Sequence, residues 1–161
     1  MAVEAPLSKF KKNGFKLYIT VCLIGAAVLA YDGYLSKYEW SKRQKFYNEH
    51  VLDNDGKPDG TMLFNMYVPF ALIAAAAALG VRFSMVKDKK IVADENSLNI
   101  NGKRSILYDH IERIDKTHFD AKGYFVITHV ADGGKEADLK LSDRMYDNLS
   151  AVLDELVAKI S

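Results

Sequence analysis

Apolar positions are gathered into two long runs, and elsewhere they alternate with polar ones. The first run, residues 17–31, has Lys16 before it and Asp32 after it; the second, residues 61–81, holds no charge and stops at Arg82. A bilayer-crossing helix needs about 20 mostly apolar residues to cover a hydrocarbon core of about 30 Å. The second run meets that length. The first reaches it when Lys16 snorkels outward and Tyr31, Tyr34 and Leu35 carry the span into the far interface. The pattern predicts helices over residues 15–35 and 61–83, a connecting loop over 36–60 and a basic N-terminal tail over 1–14. A soluble core would have to cover such helices on every side, and the remaining chain is too small to do so. The competing reading of the first run is a cleavable signal, with its basic lead-in and Val28-Leu29-Ala30; the second span that follows argues against it.

From Ser84 the pattern changes to short alternations. Strands are expected over residues 90–94, 98–101, 104–108, 122–130 and 135–141. Asn101-Gly102 suits a type I′ hairpin, and Asp132-Gly133-Gly134 a further turn. Residues 109–119 read both ways, because Ile111 and Ile114 have helical spacing whereas 114–117 can be extended. At the end, Tyr146, Leu149, Val152, Leu153, Leu156 and Ile160 recur every three to four residues. They predict an amphipathic helix capped by Ser142 or Asp143, with Glu155 and Lys159 one turn apart on its outer side.

The order of antiparallel strands closed by one C-terminal helix is carried by Lys90-Ile-Val-Ala-Asp-Glu-Asn-Ser-Leu98, Asn101-Gly-Lys-Arg104, Ile106-Leu-Tyr-Asp-His-Ile-Glu-Arg-Ile-Asp115, Lys122-Gly-Tyr-Phe-Val-Ile127 and Leu141-Ser-Asp-Arg-Met-Tyr146. It resembles the pleckstrin-homology-like (PH-like) domains of small bacterial two-span membrane proteins, over residues 87–161. The resemblance implies a seven-stranded, strongly bent barrel plugged by the helix. Five strands and a sixth within 109–119 are legible, which leaves one strand unaccounted for. The expected fold class is therefore an α+β membrane protein: a two-helix transmembrane hairpin followed, over 84–161, by a small antiparallel β-barrel-like domain closed by a C-terminal helix.

Small residues four apart offer helix-packing faces: Ala26 and Ala30 in the first span, and Ala71/Ala75 and Ala76/Gly80 in the second. Pro69 is expected to kink the second helix and free a carbonyl near Asn65. Cys22 reads as an apolar filler. Tyr31, Tyr34, Tyr38 and Trp40 are expected as interfacial anchors, since each ring has an apolar body and a polar edge. The turn-rich 53–60 segment does not fit a calcium loop: whether position 1 is Asp53 or Asp55, Lys57 falls where an oxygen ligand is needed.

The whole chain has 161 residues and a net charge of +1, which argues against a nucleic-acid coat. Residues 84–161 carry 12 basic and 14 acidic residues, and the 94–96 hairpin is acidic, so phosphoinositide capture is not expected. His50, His110, His118 and His129 form no metal-binding spacing, and no phosphate loop or nucleophile elbow occurs. No catalytic, metal or cofactor residue is expected. Eight Lys and Arg flank the outer ends of the two spans and five lie in the loop between them. That asymmetry predicts both termini on the cytoplasmic side of a bacterial inner membrane. The sequence points to a non-enzymatic accessory module that binds the lipid bilayer and another membrane protein or complex. The alternative is a tethered sensor of lipid or a small apolar ligand.

Overall fold

The computed structural model describes residues 2–131 and 134–160, so the turn expected at 132–134 lies mostly outside the described residues. The chain is α+β, with two long apolar helices, two small antiparallel sheets and a C-terminal helix. It divides into two compact units, one made of Gly14–Phe83 and the other of the residues up to Asn13 together with those from Ser84 onward.

The second of these units is therefore discontinuous, which corrects the basic tail expected over 1–14. Val3–Pro6 forms a strand, β1, and helix α1 begins at Lys9 and runs to Ala30. β1 pairs antiparallel with β2 (Lys90–Ala93), from Val3 opposite Ala93 to Pro6 opposite Lys90. It lies outside the strands expected from the alternation after Ser84. Its alternation was present in Val3, Ala5 and Leu7, of which Ala5 and Leu7 are buried. The first sheet continues through β3 (Ser97–Ile100) to β4 (Arg104–Leu107). At the β3–β4 turn Asn101 and Gly102 both have positive φ, and the Lys103 N–H donates to the Ile100 carbonyl, as the Asn-Gly pair predicts.

The second sheet is β5 (Ile111–Asp115), β6 (Tyr124–Ala131) and β7 (Lys135–Ser142), in that order. A register shift between Ile111 and Arg113 explains the ambiguous spacing there. An extra residue in a strand breaks strict alternation and gives the two isoleucines a helix-like interval. Between β5 and β6 lies the single turn of α4, Phe119–Lys122. Among the described residues the sheets do not join into a closed barrel, contrary to the expectation; a Leu7–Tyr146 bridge lies outside the named strands.

The C-terminal helix α5 spans Leu149–Ile160, later than the Ser142 or Asp143 cap predicted. Ser142 instead closes a turn, its carbonyl accepting the N–H groups of Met145 and Tyr146. Asn148, at φ 61°, turns the chain into α5. Tyr146 is thus outside the helix, buried, with its hydroxyl bonded to the Asn101 side chain at 3.0 Å. Leu149, Val152, Leu153 and Leu156 are buried against Ala5, Ile91, Leu98 and Ile106 of the first sheet and Phe125, Ile127 and Leu141 of the second. Each such side chain contributes about 1.5–3 kcal/mol by leaving water. The Glu155–Lys159 pair closes at 3.7 Å as predicted from its spacing.

Ser8 joins strand to helix. Its fully buried hydroxyl accepts the Lys11 N–H at 3.1 Å as an N-cap and donates to the Arg144 carbonyl at 2.6 Å. Asp147 accepts the Lys9 N–H at 2.9 Å, placing a carboxylate at the positive end of α1.

Candidate functional site

The Gly14–Phe83 unit is a pair of helices. α1 runs on through a π-helical turn, Tyr31–Leu35; a short helix α2 covers Gln44–His50, and α3 spans Gly60–Val86. Both long helices have the length and apolar character to cross a membrane. They align antiparallel: Phe15 meets Phe83, with ring centroids 5.7 Å apart, Gly25 faces Leu72, and Gly33 faces Asn65.

A tight contact lies at Gly33, a residue the small-residue pattern did not single out. A Cβ there would lie 2.5 Å from the Asn65 carbonyl oxygen and 3.0 Å from the Met66 nitrogen. Pro69 has no N–H to give the Asn65 carbonyl four residues earlier, which removes that carbonyl's usual helical donor. The glycine seats against it. One residue on, the Tyr34 hydroxyl donates to the Met66 carbonyl at 2.8 Å, and its ring meets Phe70 edge-on. Asn65 and Pro69 are both buried. Pro69 lies inside α3, and the carbonyl it frees is where the other helix rests. A Gly facing a Pro-minus-four carbonyl is a legible signal only once the helix register is known.

Of the packing candidates, Ala26 and Ala76 are buried, Ala30 and Gly80 are half-buried, and Ala71 and Ala75 are exposed. Nothing lies within 4 Å of a Cβ built at Gly80. Half of the expected small-residue face therefore points away from the partner helix. Leu17, Tyr18, Val21, Ile24, Phe64, Tyr67, Phe70 and Ile73 are also exposed, giving the pair an oily perimeter.

The far end of the pair is polar. The Arg43 guanidinium grips Asp32 through two 2.8 Å hydrogen bonds, and that carboxylate holds the Arg43 pKa above its usual value. Ser41 donates to the Tyr31 hydroxyl at 3.2 Å, and Ser36 donates to the Asp32 carbonyl. Asp59 caps α3 by accepting the Met62 N–H and also meets His50 Nδ1 at 2.8 Å. Those two bonds hold its carboxyl below the ordinary range. Tyr38 and Trp40 stack with centroids 5.6 Å apart and both remain exposed.

In the mixed unit the histidines are dispersed. His118 rests on the Tyr124 ring and His110 is exposed. His129 is buried; Arg104 donates to its Nε2 at 2.5 Å, which puts the ring proton on Nδ1, where it has no partner. Among the described residues no group of His, Cys, Asp and Glu could hold a metal ion. An open groove of about 810 Å³ runs between the β5–α4 segment and α5, lined by Lys116, Phe119, Asp120, Leu153 and Val157. No protein-family model matches this chain, and no curated protein or solved structure matches it.

Proposed function

We propose that the chain is a membrane-anchored, non-enzymatic accessory module of the bacterial cytoplasmic membrane. Its two apolar helices cross as a hairpin, and its mixed unit, a PH-like domain, is presented on the cytoplasmic side to another membrane protein or complex. The observation that carries this reading is the pairing of β1 with β2. One strand precedes the first apolar helix and the other follows the second, so both ends of the hairpin belong to one folded unit and must share a side. The seven strands and C-terminal helix among the described residues share one core, which supports the PH-like reading although the two sheets do not close into a barrel. Among the described residues β7 pairs with β6 alone, and its other edge offers a partner a place to add a strand.

The test has two stages. Membranes from cells making the chain are washed with alkaline carbonate, and reporters are placed after Ser161 and within residues 53–58. Retention in the pellet, with the two reporters on opposite sides, is the expected result; release into the wash would overturn it. Purification in mild detergent should then recover the chain with a larger membrane protein, whereas a lone monomer would remove the accessory role.

A further inference from the structure

Strand register sorts the charges of the mixed unit toward its two ends. Pro6 lies opposite Lys90, and the Leu7 N–H donates to the Lys89 carbonyl at 2.9 Å. The Asn101 N–H donates to the Lys90 carbonyl at 2.8 Å, the Ser8 N–H to the Met145 carbonyl at 2.9 Å. One end therefore gathers the first turn of α1, residues 87–89, the β3–β4 turn and residues 144–147. These bring together Lys9, Lys11, Lys12, Lys87, Lys89, Lys103 and Arg144 against Asp88 and Asp147. The other end holds the β2–β3 turn with Asp94 and Glu95, and Asp109, which follows the Tyr108 N–H bond to the Asn96 carbonyl. Glu155 is there too, paired with Lys159, whose ammonium reaches the Glu95 carbonyl.

A count over residues 84–161 alone misses this polarity. The N-terminal residues up to Asn13 add three lysines and one glutamate, and they add the lysines at the end that is already basic. Those lysines stand in the first turn of α1, which contains no acidic residue. Cations are locally unfavourable at the positive end of a helix, and Asp147, on the Lys9 N–H, sets one carboxylate against three lysines there. Phe10, 71% exposed, and Met145, 40% exposed, stand among these charges. Both long apolar helices join the unit at this end, one leaving through Lys9–Asn13 and the other returning into residues 87–89.

We propose that this basic end is a docking surface for the headgroups of anionic phospholipids, with Phe10 and Met145 entering the acyl boundary. The proposal rests on the reading that α1 and α3 cross a bilayer. Lys and Arg close to a membrane surface each strengthen binding to acidic lipid about fivefold, and the effect fades beyond a Debye length. Lys103 and Arg144 lie far in sequence from the spans and are gathered to this end only by folding.

The full chain is reconstituted in nanodiscs of phosphatidylcholine alone or with about 30% phosphatidylglycerol, and amide hydrogen exchange is followed in residues 101–104. Exchange there should slow about fivefold with phosphatidylglycerol and recover in high salt and in a Lys103→Glu/Arg144→Glu variant. Unchanged exchange in β6 of that variant verifies its fold. Equal exchange in both lipids overturns the proposal. So does equal slowing by inorganic phosphate in phosphatidylcholine discs, which would mean a free-anion site. A chain that does not enter discs at all overturns the membrane reading itself along with the proposal.

Discussion

Replacing Ser8 by Ala tests whether the N-terminal strand is integral to the mixed unit. The hydroxyl serves two backbone partners through half-buried bonds, the Lys11 N–H and the Arg144 carbonyl. Losing the cap costs about 1 kcal/mol, and leaving the carbonyl without a donor costs about 1–2 kcal/mol more. Together these loosen the β1 end by about 2–3 kcal/mol, equivalent to opening about 30- to 150-fold more often. The assay is native-state hydrogen exchange of the Ile91–Ala93 amides in the detergent-solubilised full chain, with Lys9→Ala as an exposed neighbouring control. Ser8→Ala should raise exchange in β2 by that factor while the control leaves it alone. If β2 exchanges within about threefold of the wild type, the strand pairing contributes little and the discontinuous unit is refuted.

Other outcomes follow from the same geometry. Gly33→Leu drives a side chain into the Asn65 carbonyl, at a cost of about 1–3 kcal/mol; disulfide yield between Gly25→Cys and Leu72→Cys, in a Cys22→Ala background, should drop sharply, and an unchanged yield would count against the helix register. Asp59 has a depressed folded-state pKa, so its stabilisation is present above the unfolded value of about 4 and is lost as pH falls through the folded value. Emission from Trp40, the one tryptophan, should report loosening of the loop in acid, and Asp59→Asn should abolish that transition. Burial raises the Tyr108 pKa, so the stability it favours is complete below about pH 10 and is lost as pH rises toward the folded value. Tyr108→Phe removes the 2.7 Å bond to the Asp94 carbonyl; it should cost about 1 kcal/mol in denaturant titrations at neutral pH and flatten the alkaline limb.

The chain's own pattern determined a good deal. Two uncharged runs specified two long helices, because only length and hydropathy were needed. The 122–130 run of aromatic and β-branched residues specified the central strand of the second sheet, and Asn101-Gly102 the β3–β4 turn of the first, because those preferences are local. The apolar stripe from Tyr146 to Ile160 specified a C-terminal helix for the same reason, though α5 itself starts at Leu149 and leaves Tyr146 outside it. Tertiary structure decided what depends on distant partners. Val3–Pro6 is too short, and too burdened by Glu4 and Pro6, to read as a strand until β2 arrives beyond two spans to pair with it. The Gly33 contact falls on a carbonyl that Pro69, on the other helix, deprives of its usual donor. Ala71 and Ala75 have the spacing of a packing face, but spacing fixes only that two residues share a side of one helix, never which side meets the neighbour. The basic end is likewise invisible in sequence, since its seven cations come from four separate segments that only the strand register brings together.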